Sequence, residues 1–122
     1  MSTNEDLVRT YITSLTAGPA GLDAARELLA DDLDYHDPLM AVDRADDLIE
    51  QLRQLDPQSA EIELAEIASG NNVVAALTSF AMPDGTTVAF SQWFWIENGM
   101  IVKCRVIYDP RPFFGQGGPS AG

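Results

Sequence analysis

Asp37 precedes Pro38, and at that junction the 122-residue sequence fixes a reactive group by backbone constraint. Proline bars the residue before it from the helical region, so Asp37 is expected in extended or turn geometry after the apolar-periodic run Leu22 to Ala30. If the chain is extended here, alternation sends Tyr35 and Asp37 to one face and Asp34 and His36 to the other. A carboxylate beside a phenol in an apolar pocket is equipped to take a proton from carbon next to a carbonyl. The same residues also fit an Asp-Pro turn with a solvated acid. Tyr11, on the apolar side of the first predicted helix, is either a donor to a developing enolate oxygen or a core tyrosine satisfied elsewhere. His36, the only histidine, alternates away from Asp37 and reads as a partly exposed or hydrogen-bonded strand residue. Cys104 reads as a buried, inert thiol.

The elements that must position these groups follow from hydrophobic period. Ser2 and Glu5 have capping-box spacing, and Leu7, Val8, Tyr11, Ile12 and Leu15 fall on one helical face that Gly18-Pro19 closes. A second helix takes Leu22, Ala25, Leu28 and Leu29 inward. Asp43 can cap a third, carrying Ala45, Leu48, Ile49, Leu52 and Leu55 and closed by Asp56-Pro57. The period then changes to two. Glu61 to Leu64 alternates, and the step to Ile67 predicts a bulge near Ala65-Glu66. Turns at Gly70-Asn71-Asn72, Pro83-Asp84-Gly85 and Asn98-Gly99 separate three further strands. The reading is α+β: three N-terminal helices packed on a curved antiparallel sheet that forms a conical cavity. Residues 1–113 form one domain, and the Gly- and Pro-rich residues 114–122 are expected to be a disordered tail.

Composition narrows the function classes. Nineteen acids against seven Lys and Arg give a net charge of -12, which repels phosphate backbones and anionic lipid, so nucleic acid and membrane partners are not expected. No apolar run reaches the roughly 18 residues of a membrane span, and the N-terminus is polar, so a cytoplasmic protein is the default reading. One Cys and one His are too few for a Cys/His zinc site.

Three stretches, in this order and spacing, resemble the nuclear transport factor 2-like superfamily, in its SnoaL-like and ketosteroid isomerase-like branch. They are Arg9-Thr10-Tyr11-Ile12; Ala30-Asp31-Asp32 followed by His36-Asp37-Pro38; and Trp95-Ile96-Glu97-Asn98-Gly99-Met100-Ile101 ending in Tyr108-Asp109-Pro110. The resemblance implies Asp37 as general base and Tyr11 as the oxyanion-hole tyrosine, in a chemistry where a protonated aspartate completes the hole. Ser91 occupies that aspartate's position, which is a departure, because serine is a shorter and weaker acid. Epoxide hydrolase relatives carry an acid within the last strand, where Val106 stands here beside Arg105 and Cys104; that argues against water activation between two carboxylates.

By the family's register, Ser91, Trp93 and Trp95 line the pocket with Cys104, Val106 and Tyr108, while the faces with Phe94 and Ile107 are left to a second subunit. Tyr35, Trp93, Trp95, Cys104, Val106 and Tyr108 are the implied substrate contacts. The resemblance thus implies a cofactor-independent, homodimeric enzyme moving a proton on a hydrophobic ketone or polyketide-like substrate. A SnoaL-like polyketide cyclase and a non-catalytic small-molecule-binding module of the same fold remain alternatives.

Overall fold

Thr3, not Ser2, caps the first helix, α1 (Asn4–Ser14). The Asp6 amide donates to Thr3 Oγ1 at 3.0 Å, and the Thr3 amide donates to Asp6 Oδ2 at 3.2 Å, a capping box one residue later than the expected spacing. Val8, Tyr11 and Ile12 are its buried side chains. Gly18-Pro19 does not end this helix, which stops at Ser14 with Leu15 as its C-cap; it begins the next, α2 (Gly18–Arg26), with Gly18 at φ +79° and the proline in the first turn, where a missing N–H costs nothing. Gly21 lets α2 cross α1 closely, since a Cβ there would stand 2.3 Å from the Ser14 carbonyl oxygen. The third helix, α3 (Ala45–Gln54), buries Ala45, Leu48 and Ile49 as its period predicts.

The computed structural model describes residues 3–54, 61–82 and 85–111. Expectations for Ser2, Leu55, Asp56-Pro57, Pro83-Asp84 and the tail 114–122 lie outside the described residues. The expected meander is present as β3 (Glu61–Ser69), β4 (Val73–Ala81), β5 (Thr87–Glu97) and β6 (Met100–Ile107), each antiparallel to the next. Two strands extend it. Leu28 and Leu29 do not continue α2; the chain straightens into β1 (Leu29–His36), which pairs in parallel with β6, and β2 (Ala41–Val42) pairs antiparallel with β1. The sheet is therefore mixed, six-stranded and ordered β2-β1-β6-β5-β4-β3. Leu29 and Leu33 are fully buried in it, so the helical spacing of the preceding leucines yields to a pairing made across some seventy residues.

Two bulges within the β3–β6 meander set which of its side chains face the helices, and the β1–β6 pair has a further register shift between Leu29 and Asp34. The expected one sits at Ala65, between the Leu64–Thr78 and Glu66–Leu77 pairs. The other was not foreseen. Past the Asn98-Gly99 turn, where both residues have positive φ, Glu97 lies opposite Met100 and Ile96 opposite Ile101. Trp95 then lies opposite Lys103, so Val102 is an extra residue on β6. From there Phe94 faces Cys104, and Gln92 faces Val106. The inner surface of β4 to β6 is Val74, Ala76, Thr78, Gln92, Phe94, Ile96, Ile101, Cys104 and Val106, all buried, with α1 to α3 packed over the same core.

The register makes Phe94 a core residue. Phe94→Ala is expected to lower stability in urea unfolding by about 3–5 kcal/mol, against under about 1 kcal/mol if this side chain were on the outer face.

Candidate active site

Pro38 stops β1, and the turn that follows is tied to the Asp37 carboxylate. The amides of Leu39 and Met40 donate to Oδ1 at 2.7 and 2.9 Å, and the Asp37 amide donates to the Met40 carbonyl at 2.9 Å. Tyr35 lies on the same side of the strand, and its hydroxyl donates to Oδ2 at 2.6 Å. The alternation inferred from sequence is therefore present, and the Asp-Pro turn exists together with it. A carboxylate accepts at about four lone-pair positions, and among the described residues three are taken, leaving one on Oδ2.

The chain's three tyrosines gather on this side of the sheet. Tyr35 is buried opposite Cys104; burial, then its hydrogen bond to Asp37, raises its pKa. Tyr11 is 3% exposed and meets Phe94 edge-on at 5.6 Å; burial, then the nearby Cys104, holds its proton far above the usual range. Tyr108 is half-buried and stacks on Phe90 at 4.2 Å, with Phe80 beyond at 5.4 Å from Phe90. Partial burial and the charge of Asp37 push its pKa up to about 12. Cys104 is buried, and its thiol is raised by that burial, which outweighs the opposing pull of Arg105. Asp37, Tyr35, Tyr11, Cys104, Val106 and Tyr108 thus share the concave side.

Ser91, Trp93 and Trp95 do not join them. The Val102 bulge shifts the β5–β6 register by one residue and so reverses which β5 side chains share a face with Cys104 and Val106. Ser91 lies opposite Leu77 and Ile107 on the outer face and accepts from Trp93 Nε1 at 3.0 Å, while Trp95 lies under the Lys103 ammonium at 4.8 Å. Phe94, expected at a subunit contact, is instead in the core. The residues missed are Gln92 and Thr78, the buried polar pair of the inner wall, with Gln92 Nε2 donating to Thr78 Oγ1 at 2.9 Å. Their signal was the shared parity of Phe90, Gln92 and Phe94, once the bulge is known.

His36 is on the outer face, exposed, with Nε2 3.3 Å from Asp34. Asp34 is held below the usual carboxylate range chiefly by its hydrogen bonds from Arg105. Asp109 is likewise taken by Arg111 at 2.7 Å. Among the described residues no three His, Cys, Asp or Glu side chains cluster as a metal site, and no helix is long and apolar enough to cross a membrane.

Residues 8–104 match the family model described as SnoaL-like domain. The chain belongs to the SnoaL-like family. Solved structures share the fold at low identity. An NTF2-like protein of unknown function from Cytophaga hutchinsonii is 23% identical, with a TM-score of 0.81 over 93% of this chain and 96% of that one. A protein with a ketosteroid isomerase-like fold from Catenulispora acidiphila, solved with trimethylamine, is 14% identical (TM-score 0.79, 95% of each chain). A LEH-like epoxide hydrolase from M. tuberculosis is 20% identical (TM-score 0.70, 88% of this chain and 84% of that one). No functionally curated protein matches the sequence. These likenesses establish the nuclear transport factor 2-like fold of this SnoaL-like chain, and a fold of this kind hosts several chemistries.

The phenols of the SnoaL-like site supply a pH signature. All three have raised folded-state pKa values, so their contribution to stability is complete below the unfolded value of about 10 and is lost as pH climbs through the folded values. Phenolate absorbance in the native protein is expected to stay near zero at about pH 10, where free tyrosine is half-ionised. Tyr108 should titrate first, near 12. In denaturant all three should titrate together near about 10.

Proposed function

We propose that this SnoaL-like protein is a cofactor-independent acid–base enzyme that moves a proton on a hydrophobic ketone, with Asp37 as the base. The observation that carries the reading is the Asp37 carboxylate. Oδ1 is immobilised by two backbone amides and Oδ2 is aimed by Tyr35, with one acceptor position of Oδ2 not taken among the described residues. Such a group is held in place without being used up, which is what abstraction from a carbon acid requires. Tyr11 supports the reading because burial holds the proton on its phenol, which keeps it a donor for a developing anion.

The step balances within the substrate and this side chain. Asp37 removes the proton next to the carbonyl, the electron pair moves into the enolate, and the enolate oxygen accepts from Tyr11. The proton returns from the Asp37 carboxyl to a more distant carbon as the double bond shifts. In this reading Gln92 takes the role that the family resemblance implies for Ser91, since it is the polar side chain of β5 on the concave side and its amide can turn to donate or accept. The wall formed by Phe80, Phe90 and Tyr108 suits a flat apolar substrate. A homodimer and a cytoplasmic setting belong to this proposal as well.

Double-bond migration in a β,γ-unsaturated ketosteroid, followed by ultraviolet absorbance, tests it. Asp37→Asn is expected to lower kcat by about 10²–10⁴-fold. Tyr11→Phe should lower it by about 10²–10³-fold. Ser91→Ala should leave it unchanged. Equal activity in wild type and Asp37→Asn would move the base elsewhere, and activity in neither would favour a cyclase or a binding module.

A further inference from the structure

The part of the concave wall that lies on β4 and β5 is apolar except at one place. Among the described residues, Thr78 and Gln92 are the buried polar side chains apart from the tyrosines, 2% and 7% exposed, and Gln92 Nε2 donates to Thr78 Oγ1 at 2.9 Å. Gln92 lies opposite Ala76 on β4 and Val106 on β6. Thr78, two residues beyond Ala76, is its diagonal neighbour, a separation that a long side chain bridges.

A buried amide in such a wall is costly wherever it goes unpaired, and two apolar residues of the same shape would close the wall without that cost. The pair therefore calls for a reason beyond packing. Thr78 supplies one through its rigidity. A β-branched side chain has few χ1 choices, and close packing around a residue this buried removes the rest, so Oγ1 is a fixed acceptor. The carboxamide of Gln92 is planar and carries two Nε2 hydrogens. Pinning one of them at Thr78, with the side chain tethered at its other end, sets the direction of the second.

We propose that Thr78 is a positioning residue that holds Gln92 with its second Nε2 hydrogen directed over the concave side, toward the oxygen of a bound ketone. The inference deepens the proposed function and rests on Gln92 acting there as a donor to the enolate oxygen. Continuing the β1–β6 register one residue past His36 sets Asp37 beside Val106, so Asp37, Val106 and Gln92 form one row across the sheet. Two strand spacings put the backbones of Asp37 and Gln92 about 10 Å apart. A substrate lying over Val106 then meets the base at one end of the row and the amide at the other. An amide without its anchor must reorient as negative charge reaches the enolate oxygen, and a preorganised donor avoids that step.

Valine matches threonine in shape without the hydroxyl, and serine keeps the hydroxyl but drops the methyl. A residue that only fills space ranks valine with the wild type and serine below both. Positioning reverses the order. In ketosteroid double-bond migration, Thr78→Val is expected to lower kcat by about 10–10²-fold with KM nearly unchanged, and Thr78→Ser by less. Thr78→Val combined with Gln92→Leu should be no slower than Gln92→Leu alone, because the threonine acts through the amide. The side-chain amide resonances of Gln92 give a readout that needs no turnover. One Nε2 proton is expected to exchange slowly and to lie apart from its partner in the wild type and in Thr78→Ser, and to lose both properties in Thr78→Val. An inactive wild type removes the reaction proposed above and leaves these resonances to decide the pinning. Resonances unchanged in Thr78→Val, a rate order with serine below valine, or independent effects of the two substitutions overturn the proposal.

Discussion

One extra residue in β6 decides what each face of this sheet is made of. Ile101 and Cys104 are both fully buried although they stand three positions apart, an odd step that plain alternation cannot send to one side. The bulge at Val102 absorbs the difference and keeps Lys103 and Arg105 on the outer face while Cys104 and Val106 point inward. A regular hairpin would pair Cys104 with Trp93 and Val106 with Ser91. It would then place either the indoles among the helices or the two cations in the core, and burying an unpaired cation costs far more than one lost ladder position. The charge pattern of β6 and the apolar pattern of β5 can be satisfied together only with the bulge in place.

The site inherits that choice. With Phe94 inward, Tyr11 of α1 has a ring edge to pack against and Tyr35 of β1 has Cys104 as its neighbour, so the phenols lie on one surface. Asp37 depends on a different constraint, the stop imposed by Pro38, which turns the chain so that two amides reach Oδ1. Backbone amides are dependable donors because they cannot rotate away. The carboxylate's orientation therefore rests on the turn, and Tyr35 sets only the second oxygen.

What was legible in the sequence was whatever local chemistry specifies. The helical faces of Val8, Tyr11 and Ile12 and of Ala45, Leu48 and Ile49 follow from period, the bulge at Ala65 from a miscounted alternation, and the closing turn from Asn98-Gly99. The pairing of Tyr35 with Asp37 follows from the step of two before a proline. What was not legible depends on distant partners. Leu28 and Leu29 carry helical spacing, and only pairing with β6 reveals that Leu29 opens a strand. Gly18-Pro19 fits the end of one helix and the start of another equally well, and the close crossing at Gly21 selects the start. The faces of Ser91 and the tryptophans turned on a bulge in the neighbouring strand, which the β5 sequence does not encode.

The two faces also separate two electrostatic regimes. Thr78 and Gln92 are the buried polar side chains apart from the tyrosines, and on the concave side Asp37 sits among aromatic rings and neutral groups. The excess acids lie on exposed helix surfaces, such as Asp46, Asp47 and Glu50, and along β3. Proton transfer to Asp37 would neutralise its carboxylate and move the single negative charge onto the enolate oxygen, and any further acid on this wall would repel that charge in a poorly screened space. Keeping the remaining acids off this wall avoids that repulsion. Phenols whose pKa values are raised stay protonated, and therefore remain donors, at neutral and mildly alkaline pH. Asp37 needs acceptor character and its surroundings need donor character. The burial that raises the tyrosines provides the second without any added cation.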